Sequence, residues 1–334
     1  MKNKKILLVG GSGYIGSHVA IALIDKGYQP IIFDNFSNSS QSKIHNIEKF
    51  VDKSIDFFEG DILKKDHLDE IFTQHNFQGV IHLAALKSVP ESNLKYVDYY
   101  QNNIGGLINL ISEMKKNKVY KLIFSSSATV YGDKAIAPVS ESMPTYSNNT
   151  YGFTKILGEK ILSNTCDVDD KWSAISLRYF NPAGSANCEL LSEDPKKPAG
   201  NLFPIIRDCF VSNKNRKKTF CIYGNDYETP DGTPIRDFIH VEDLAESHVL
   251  ALMKLEKEKN YYKAINVGSG SPKTVLQIVQ KFEEITNKKI KVEYQARRHN
   301  DIGLSYADIN LAKNELGFEP KHDLDSICRS TLEV

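Results

Sequence analysis

The chain has 334 residues, 41% of them hydrophobic, and its 42 Lys and Arg balance 42 Asp and Glu. That length allows about two domains and a substantial core. The neutral balance excludes a net field that would draw nucleic acid or an anionic membrane surface, so an anionic ligand has to be held by local groups. Five scattered cysteines, Cys166, Cys188, Cys209, Cys221 and Cys328, include no C-x-x-C pair, which leads us to expect reduced thiols and a cytoplasmic protein. The basic start, Met1 to Lys5, runs into the apolar Ile6 to Val9, far shorter than a signal-peptide core or a membrane span.

From the first residues onward, short β-rich runs alternate with amphipathic helical stretches, the pattern of βαβ units in a parallel sheet. The runs are Ile6 to Val9, Pro30 to Phe33, Ile55 to Phe58, Val80 to Leu83, Leu122 to Phe124 and Ala174 to Leu177. Most are nearly all apolar, as strands covered by helices on both faces require. From Asn181 the texture changes, with Asn181-Pro182-Ala183-Gly184, Asp194-Pro195 and Pro198-Ala199-Gly200 breaking the pattern. Helical patterns follow over 201–211, 241–254 and 275–286, and the lysine cluster Lys214 to Lys218 reads as a solvated loop. The expected fold is α/β: a Rossmann-type doubly wound parallel sheet over 1–180 and a smaller mixed α/β substrate domain over 181–334. The stretch 233–250 is expected to return and pack on the first domain.

After the first run, Gly10-Gly11-Ser12-Gly13-Tyr14-Ile15-Gly16 opens a helix with apolar Ile15, Val19, Ala20, Leu23 and Ile24. Glycines there make the turn tight and let backbone approach a pyrophosphate, while the helix N-terminus aims N–H groups at the anion. The spacing is G-x-x-G-x-x-G, and the strand before and helix after give it weight. Asp34 ends the next run. Its carboxylate can accept from a ribose diol and would repel a 2′-phosphate, which favours NAD over NADP. Further run ends supply a cofactor rim: Asp61 for an adenine amino group, Ile62 for its face, and Ala84-Ala85-Leu86-Lys87 for close approach of the dinucleotide.

The fifth run ends in Ser125-Ser126-Ser127, and Tyr151 and Lys155 follow at helical i, i+4 spacing on one face. A cation beside a phenol favours the phenolate, so Lys155 is expected to lower the Tyr151 pKa towards neutrality and make it a base. Hydroxyl, phenol and ammonium together suit hydride chemistry at a carbinol carbon.

These residues carry a resemblance. Val9-Gly-Gly-Ser-Gly-Tyr-Ile-Gly-Ser-His18, Phe124-Ser-Ser-Ser-Ala-Thr-Val-Tyr-Gly-Asp133, Tyr151-Gly-Phe-Thr-Lys155, Leu177-Arg-Tyr-Phe-Asn-Pro-Ala-Gly184, Tyr223-Gly-Asn-Asp-Tyr227 and Arg236-Asp-Phe-Ile-His-Val241 resemble the extended short-chain dehydrogenase/reductase family, in its nucleotide-sugar 4-epimerase branch. The resemblance runs to about Asp308. It implies a tightly held NAD and 4-epimerisation of UDP-hexoses through a transient 4-keto sugar, with Ser127, Tyr151 and Lys155 catalytic. It further implies cofactor contacts from Gly10, Gly13, Tyr14, Ile15, Gly16, Asp34, Asn35, Asp61, Ile62, Ala84, Ala85, Lys87, Asn102, Tyr151, Lys155 and Tyr179. For the substrate it implies Asn181 and Asn201 at the diphosphate or sugar, with Leu202 beside them. Tyr223 would stack on uracil, Arg236 and Arg298 would pair with phosphates, Asp301 would bind the uridine ribose, and Tyr179 and Phe180 would line the sugar pocket. Phe238 stands where the family often has Tyr. Relatives commonly dimerise through helices that here begin near Tyr96 and Thr150, so a homodimer is expected.

Two other functions compete. One is a nucleotide-sugar dehydratase or decarboxylase of the same superfamily, which also makes a 4-keto intermediate; dehydratases carry an Asp-Glu pair just after the serine strand to eliminate water, and here Ala128 and Thr129 occupy those positions. A non-catalytic dinucleotide-binding regulator would have no use for Ser127, Tyr151 and Lys155 together. No metal site is expected, because His240-Val241-Glu242 has the H-x-E of zinc deaminases but no C-x-x-C follows. Within the family, one position after the phosphate-binding Arg guards the sugar's C2 substituent: Tyr restricts the pocket, whereas Cys or Ser admits N-acetylated sugars. Here that position is Ser305.

Overall fold

The computed structural model describes residues 4–192, 201–211, 219–298 and 301–332. The turns at 194–195 and 198–200 and the cluster 214–218 lie outside them. The first half alternates strand and helix: β1 (Lys4–Val9), α1 (Tyr14–Asp25), β2 (Tyr28–Asp34), α2 (Gln41–Val51), β3 (Phe57–Glu59), α3 (Lys65–Gln74) and β4 (Gly79–His82). Next come α4 (Val89–Leu94), α5 (Tyr96–Tyr99), a π-helical turn (Tyr100–Gly105), α6 (Gly106–Lys116), β5 (Lys121–Ser127), a 3₁₀ turn (Ala128–Tyr131), α7 (Thr150–Val168) and β6 (Ser173–Tyr179). The remainder holds β7 (Asn181–Ala183), α8 (Cys188–Leu191), α9 (Leu202–Val211), β8 (Phe220–Tyr223), β9 (Ile235–Arg236), β10 (Phe238–His240) and α10 (Val241–Lys257). It ends with β11 (Tyr261–Val267), β12 (Lys273–Thr274), α11 (Val275–Thr286), β13 (Val292–Gln295), β14 (Leu304–Ser305), α12 (Asn310–Leu316) and α13 (Leu324–Leu332).

Seven strands form one sheet in the order β11-β6-β5-β4-β1-β2-β3, and every pairing in it is parallel. Successive residues of a strand face opposite sides, so Ile6 and Leu8 join one core with α1 and α10, while Leu7 and Val9 join the other with α3 and α6. All four are fully buried, each contributing about 1.5–3 kcal/mol by burial. The order reverses between β1 and β4, where an open α/β sheet makes its crevice.

The chain's return to this sheet reaches further than 233–250. Helix α10 packs on α1, and Tyr261–Val267 then supplies the edge strand beside β6. This strand is not among the expected runs because its first half, Tyr-Tyr-Lys-Ala, is only part-buried, and an edge needs no continuous apolar run. The other lobe has a separate core in which Phe203, Ile206, Phe220, Ile278 and Phe282 are buried, under short pairings β13-β8, β12-β9-β14 and β10-β7. Phe238 sits in that core against Phe203. Among the described residues Cys166, Cys209, Cys221 and Cys328 are free thiols, and no helix is long and apolar enough to cross a membrane.

Candidate active site

The glycine loop connects β1 to α1 at the reversal of strand order. Gly10 has φ +82°, and a Cβ there would lie 2.6 Å from the Ala84 nitrogen; at Gly16 it would lie 2.4 Å from the Gly10 carbonyl oxygen. At Gly13 the nearest atom would be 3.4 Å away, so the loop is closed on the protein side and open on the other. Helix α1 begins at Gly13 with no side-chain cap, which leaves its N-terminal amides suited to an anion. Ile15 packs on the adjoining core, and the Tyr14 hydroxyl donates to the Gly184 carbonyl at 2.6 Å, tying the loop to the segment after β7.

Asp34 ends β2, where its carboxylate accepts from Ser12 N–H (3.1 Å), Phe36 N–H (2.9 Å) and the Ser39 hydroxyl (3.2 Å). The acid therefore braces the glycine loop as well as marking a diol position. Asn35 Nδ2 donates to Asp61 at 3.4 Å, and Asp61 also accepts from Leu63 N–H. Ile62 is buried beneath Gly106, a wall of the rim more than an exposed face. Ala84 N–H donates to Val9 at 3.0 Å, so the Ala84–Ala85 backbone lies against the end of β1, and Lys87 is exposed beyond it.

One rim residue carries no sequence signal. Asn103 is buried, accepts from Leu86 N–H at 2.9 Å, and donates to the Leu86 carbonyl at 3.0 Å and to Thr154 Oγ1 at 3.1 Å. It fastens the loop after β4 to α7. Asn102, half-buried beside it, donates to Asn103 Oδ1.

Helix α7 starts at Asn149, whose side chain accepts from Gly152 N–H at 2.8 Å, and this cap sets Tyr151 in the first turn and Lys155 in the second. Ser127 ends β5 and accepts from Thr129 N–H at 3.2 Å. Lys155 Nζ donates to the Ser125 carbonyl at 2.7 Å and lies 5.7 Å from the Tyr151 ring centre. The structure thus gathers Ser127, Tyr151 and Lys155 at the carboxyl edge of the sheet, but it corrects the expected electrostatics. Burial pushes the Tyr151 phenol up to about 12, with the Ser127 hydroxyl acting in the opposite sense, and pushes the Lys155 ammonium down to about 7, opposed by Glu159. Desolvation disfavours the charged form of each group and is the largest cause of each shift. In this state the phenol is a neutral acid.

Tyr179 and Phe180 leave β6 almost fully buried. The Tyr179 hydroxyl bonds His248 Nε2 in the core, so only its ring is left for ligands, and Phe180 packs with Val130, Ile156 and Ala307. Asn181 is exposed at the mouth, its N–H on the Asp237 carbonyl. Arg236 and Asp301 are bound to each other at 2.6 Å, and Arg298 lies over the Tyr223 ring at 4.2 Å, a cation–π contact. Four groups expected at a nucleotide diphosphate thus stand as two mutual pairs. Asn201 immediately precedes α9, and Leu202, its first residue, packs on the core of the other lobe. Ser305 is part-buried and lies opposite Arg236 in the β14–β9 pairing. His240 and Glu242 meet His322, yet the His240 Nδ1 caps α10 by accepting from Glu242 N–H and its Nε2 bonds Ser330. The H-x-E spacing is therefore a helix cap.

A dinucleotide loop and a Ser-Tyr-Lys set on one crevice define a nicotinamide-dependent enzyme acting at an alcohol carbon. The chain belongs to the NAD dependent epimerase/dehydratase family, whose model matches residues 6–268. It is 44% identical over 325 residues to a UDP-glucose 4-epimerase of Dictyostelium discoideum, covering 97% of this chain and 94% of that one. Its structure resembles UDP-glucose 4-epimerase from Bifidobacterium longum in complex with NAD+ and UDP (TM-score 0.91, 37% identity, 98% and 97% covered). It also resembles the UDP-Glc/GlcNAc 4-epimerase from Campylobacter jejuni (TM-score 0.84, 32% identity, 99% and 98% covered). NAD is the cofactor, and the residues fit it: a glycine loop open at Gly13, an uncapped helix start and a carboxylate at the end of β2.

Proposed function

We propose that this enzyme, an NAD-dependent UDP-glucose 4-epimerase, interconverts UDP-N-acetylglucosamine and UDP-N-acetylgalactosamine as well as UDP-glucose and UDP-galactose. The observation that carries the reading is Ser305, a small side chain one strand from Arg236. With serine there, an acetamido group on the sugar's C2 avoids the overlap a tyrosine ring would create.

Gly10, Gly13, Gly16 and Asp34 would hold NAD+, which when bound would supply the hydride acceptor and a positive charge favouring the Tyr151 phenolate. Tyr151 takes the proton of the sugar 4-hydroxyl through Ser127 as C4 is oxidised. It returns that proton when the 4-keto sugar, turned over in the pocket, is reduced on its other face. Lys155 stands behind the phenol on the Ser125 carbonyl. Arg236 and Arg298 bind the diphosphate through their forked donors. Tyr223 faces uracil and Asp301 the ribose, each exchanging its present arginine partner for substrate. Ala128 and Thr129, where a dehydratase has its acid pair, leave water elimination without a catalyst.

Tyr96 (55% exposed) and Phe153 (43%) form apolar surface on α5 and α7, the helices through which a homodimer would form. The free thiols suit a cytoplasmic setting. The test is to incubate purified protein separately with UDP-glucose, UDP-N-acetylglucosamine and UDP-glucuronate, without added NAD, and to identify products by NMR. Conversion of the first two to their C4 epimers is expected, and inertness towards the N-acetyl sugar would remove the dual specificity.

A further inference from the structure

Behind Lys155 runs a buried polar network that the reaction as described leaves unused. Glu159 is one helical turn past Lys155 on α7, so the two side chains share a face. Arg178 of β6 grips the Glu159 carboxylate with two parallel bonds, Nε at 2.9 Å and Nη2 at 2.7 Å, and both side chains are 7% exposed. The Ser126 hydroxyl donates to the same carboxylate, from the residue next to the carbonyl that holds Lys155. Arg178 continues to the Tyr131 hydroxyl at 2.7 Å, and Tyr131 to Asn266 at 2.6 Å.

A charged pair taken out of water is a poor way to gain stability, because desolvation offsets the attraction. Its presence beside a buried ammonium asks for another role. Around Lys155 stand Tyr151 and Glu159 on its own helix, the Ser125 carbonyl and Phe124 ring of β5 and His82 of β4, while Ser127 and Tyr179 stand by Tyr151 and Arg178 of β6 by Glu159. Burial keeps His82 and Tyr179 uncharged. Glu159 is therefore the negative charge of the set, and Arg178, bonded to it, bonds in turn to the buried Tyr131.

We infer that Glu159 is a positioning residue for the reaction: clamped by Arg178 and Ser126, its carboxylate is the counter-charge that holds the buried Lys155 ammonium behind Tyr151. Arg178 keeps the carboxylate ionised and fixed in place, and Ser126 joins it to the strand that presents Ser127. The inference rests on Tyr151 and Lys155 being the proton-handling pair, which turnover of UDP-galactose by the wild-type protein tests separately.

The experiment measures kcat against pH from 6 to 10 for the wild type, Glu159→Gln, Glu159→Gln/Arg178→Gln and Arg178→Lys. If Lys155 works as its cation, kcat falls on the alkaline side as that proton leaves. Removing the Glu159 charge should move this limb to lower pH by ~1 unit, the usual effect of an opposite charge at close range. The double variant should move it less, since the guanidinium that opposes Lys155 has also gone. Arg178→Lys preserves both charges and should hold the limb in place. A merely structural role lowers kcat by a similar factor at every pH. An unmoved limb in Glu159→Gln overturns the proposal. If that variant does not fold, the double variant, which removes the guanidinium along with the carboxylate, decides: a limb moved to lower pH supports the proposal and an unmoved one overturns it. Failure of both to fold assigns the pair to the fold alone and equally overturns it.

Discussion

Asn103→Ala removes a buried side chain that bonds the backbone of Leu86 on both its N–H and its carbonyl, and Thr154 on α7. Each bond is worth about 1 kcal/mol net, and leaving the two Leu86 groups poorly satisfied adds to the loss, so the expected cost is about 3–5 kcal/mol. That lowers the folding constant by at least ~100-fold. Because Leu86 lies between Ala85 and Lys87 on the cofactor rim, the same change should weaken NAD+ binding by about tenfold or more. Urea unfolding followed by circular dichroism gives the first quantity, and calorimetric titration with NAD+ the second. A stability loss under ~1 kcal/mol with unchanged NAD+ affinity would refute the reasoning that this side chain fastens the rim.

Asp34→Ala should narrow the preference for NAD over NADP and loosen the glycine loop, since Ser12 N–H loses its acceptor; unchanged relative affinities for the two cofactors would reject the diol role. Ser305→Tyr should abolish turnover of UDP-N-acetylglucosamine while sparing UDP-galactose, and a variant still active on the N-acetyl sugar would reject the pocket assignment. Burial holds His18 and His248 down to about 4, and His82 and His240 down to about 3. Below pH 6.5 the unfolded chain takes up protons that the folded one refuses, so stability falls as pH drops from 6.5 towards 4. The loss steepens to as much as ~1.4 kcal/mol per pH unit per histidine. Equal urea midpoints at pH 7.5 and 5 would contradict this.

What the sequence made legible follows the burial. Ile6–Val9 and Leu122–Phe124 stand out because both faces of these central strands are covered, whereas Tyr261–Val267, at an edge, carries a lysine and two half-exposed tyrosines. The spacing of Tyr151 and Lys155 was enough to place both on one helix face, but the net direction in which each titration moves depends on how much water each loses, and no spacing records that. Asn103 went unread because its work is done on backbone brought close by the fold. Glu159 and Arg178 look in the sequence like ordinary surface charges, and only the packing of α7 on β6 turns them inward.

The most direct test of the central claim uses UDP-galactose deuterated at C4, incubated with the purified protein in ordinary water without added NAD and followed by NMR. The account predicts UDP-glucose with the deuterium still at C4, because the hydride leaves and returns within one turnover. Tyr151→Phe should slow this conversion by about two to four orders of magnitude. Loss of the label to solvent, no conversion by the wild type, or near-normal conversion by Tyr151→Phe would contradict it.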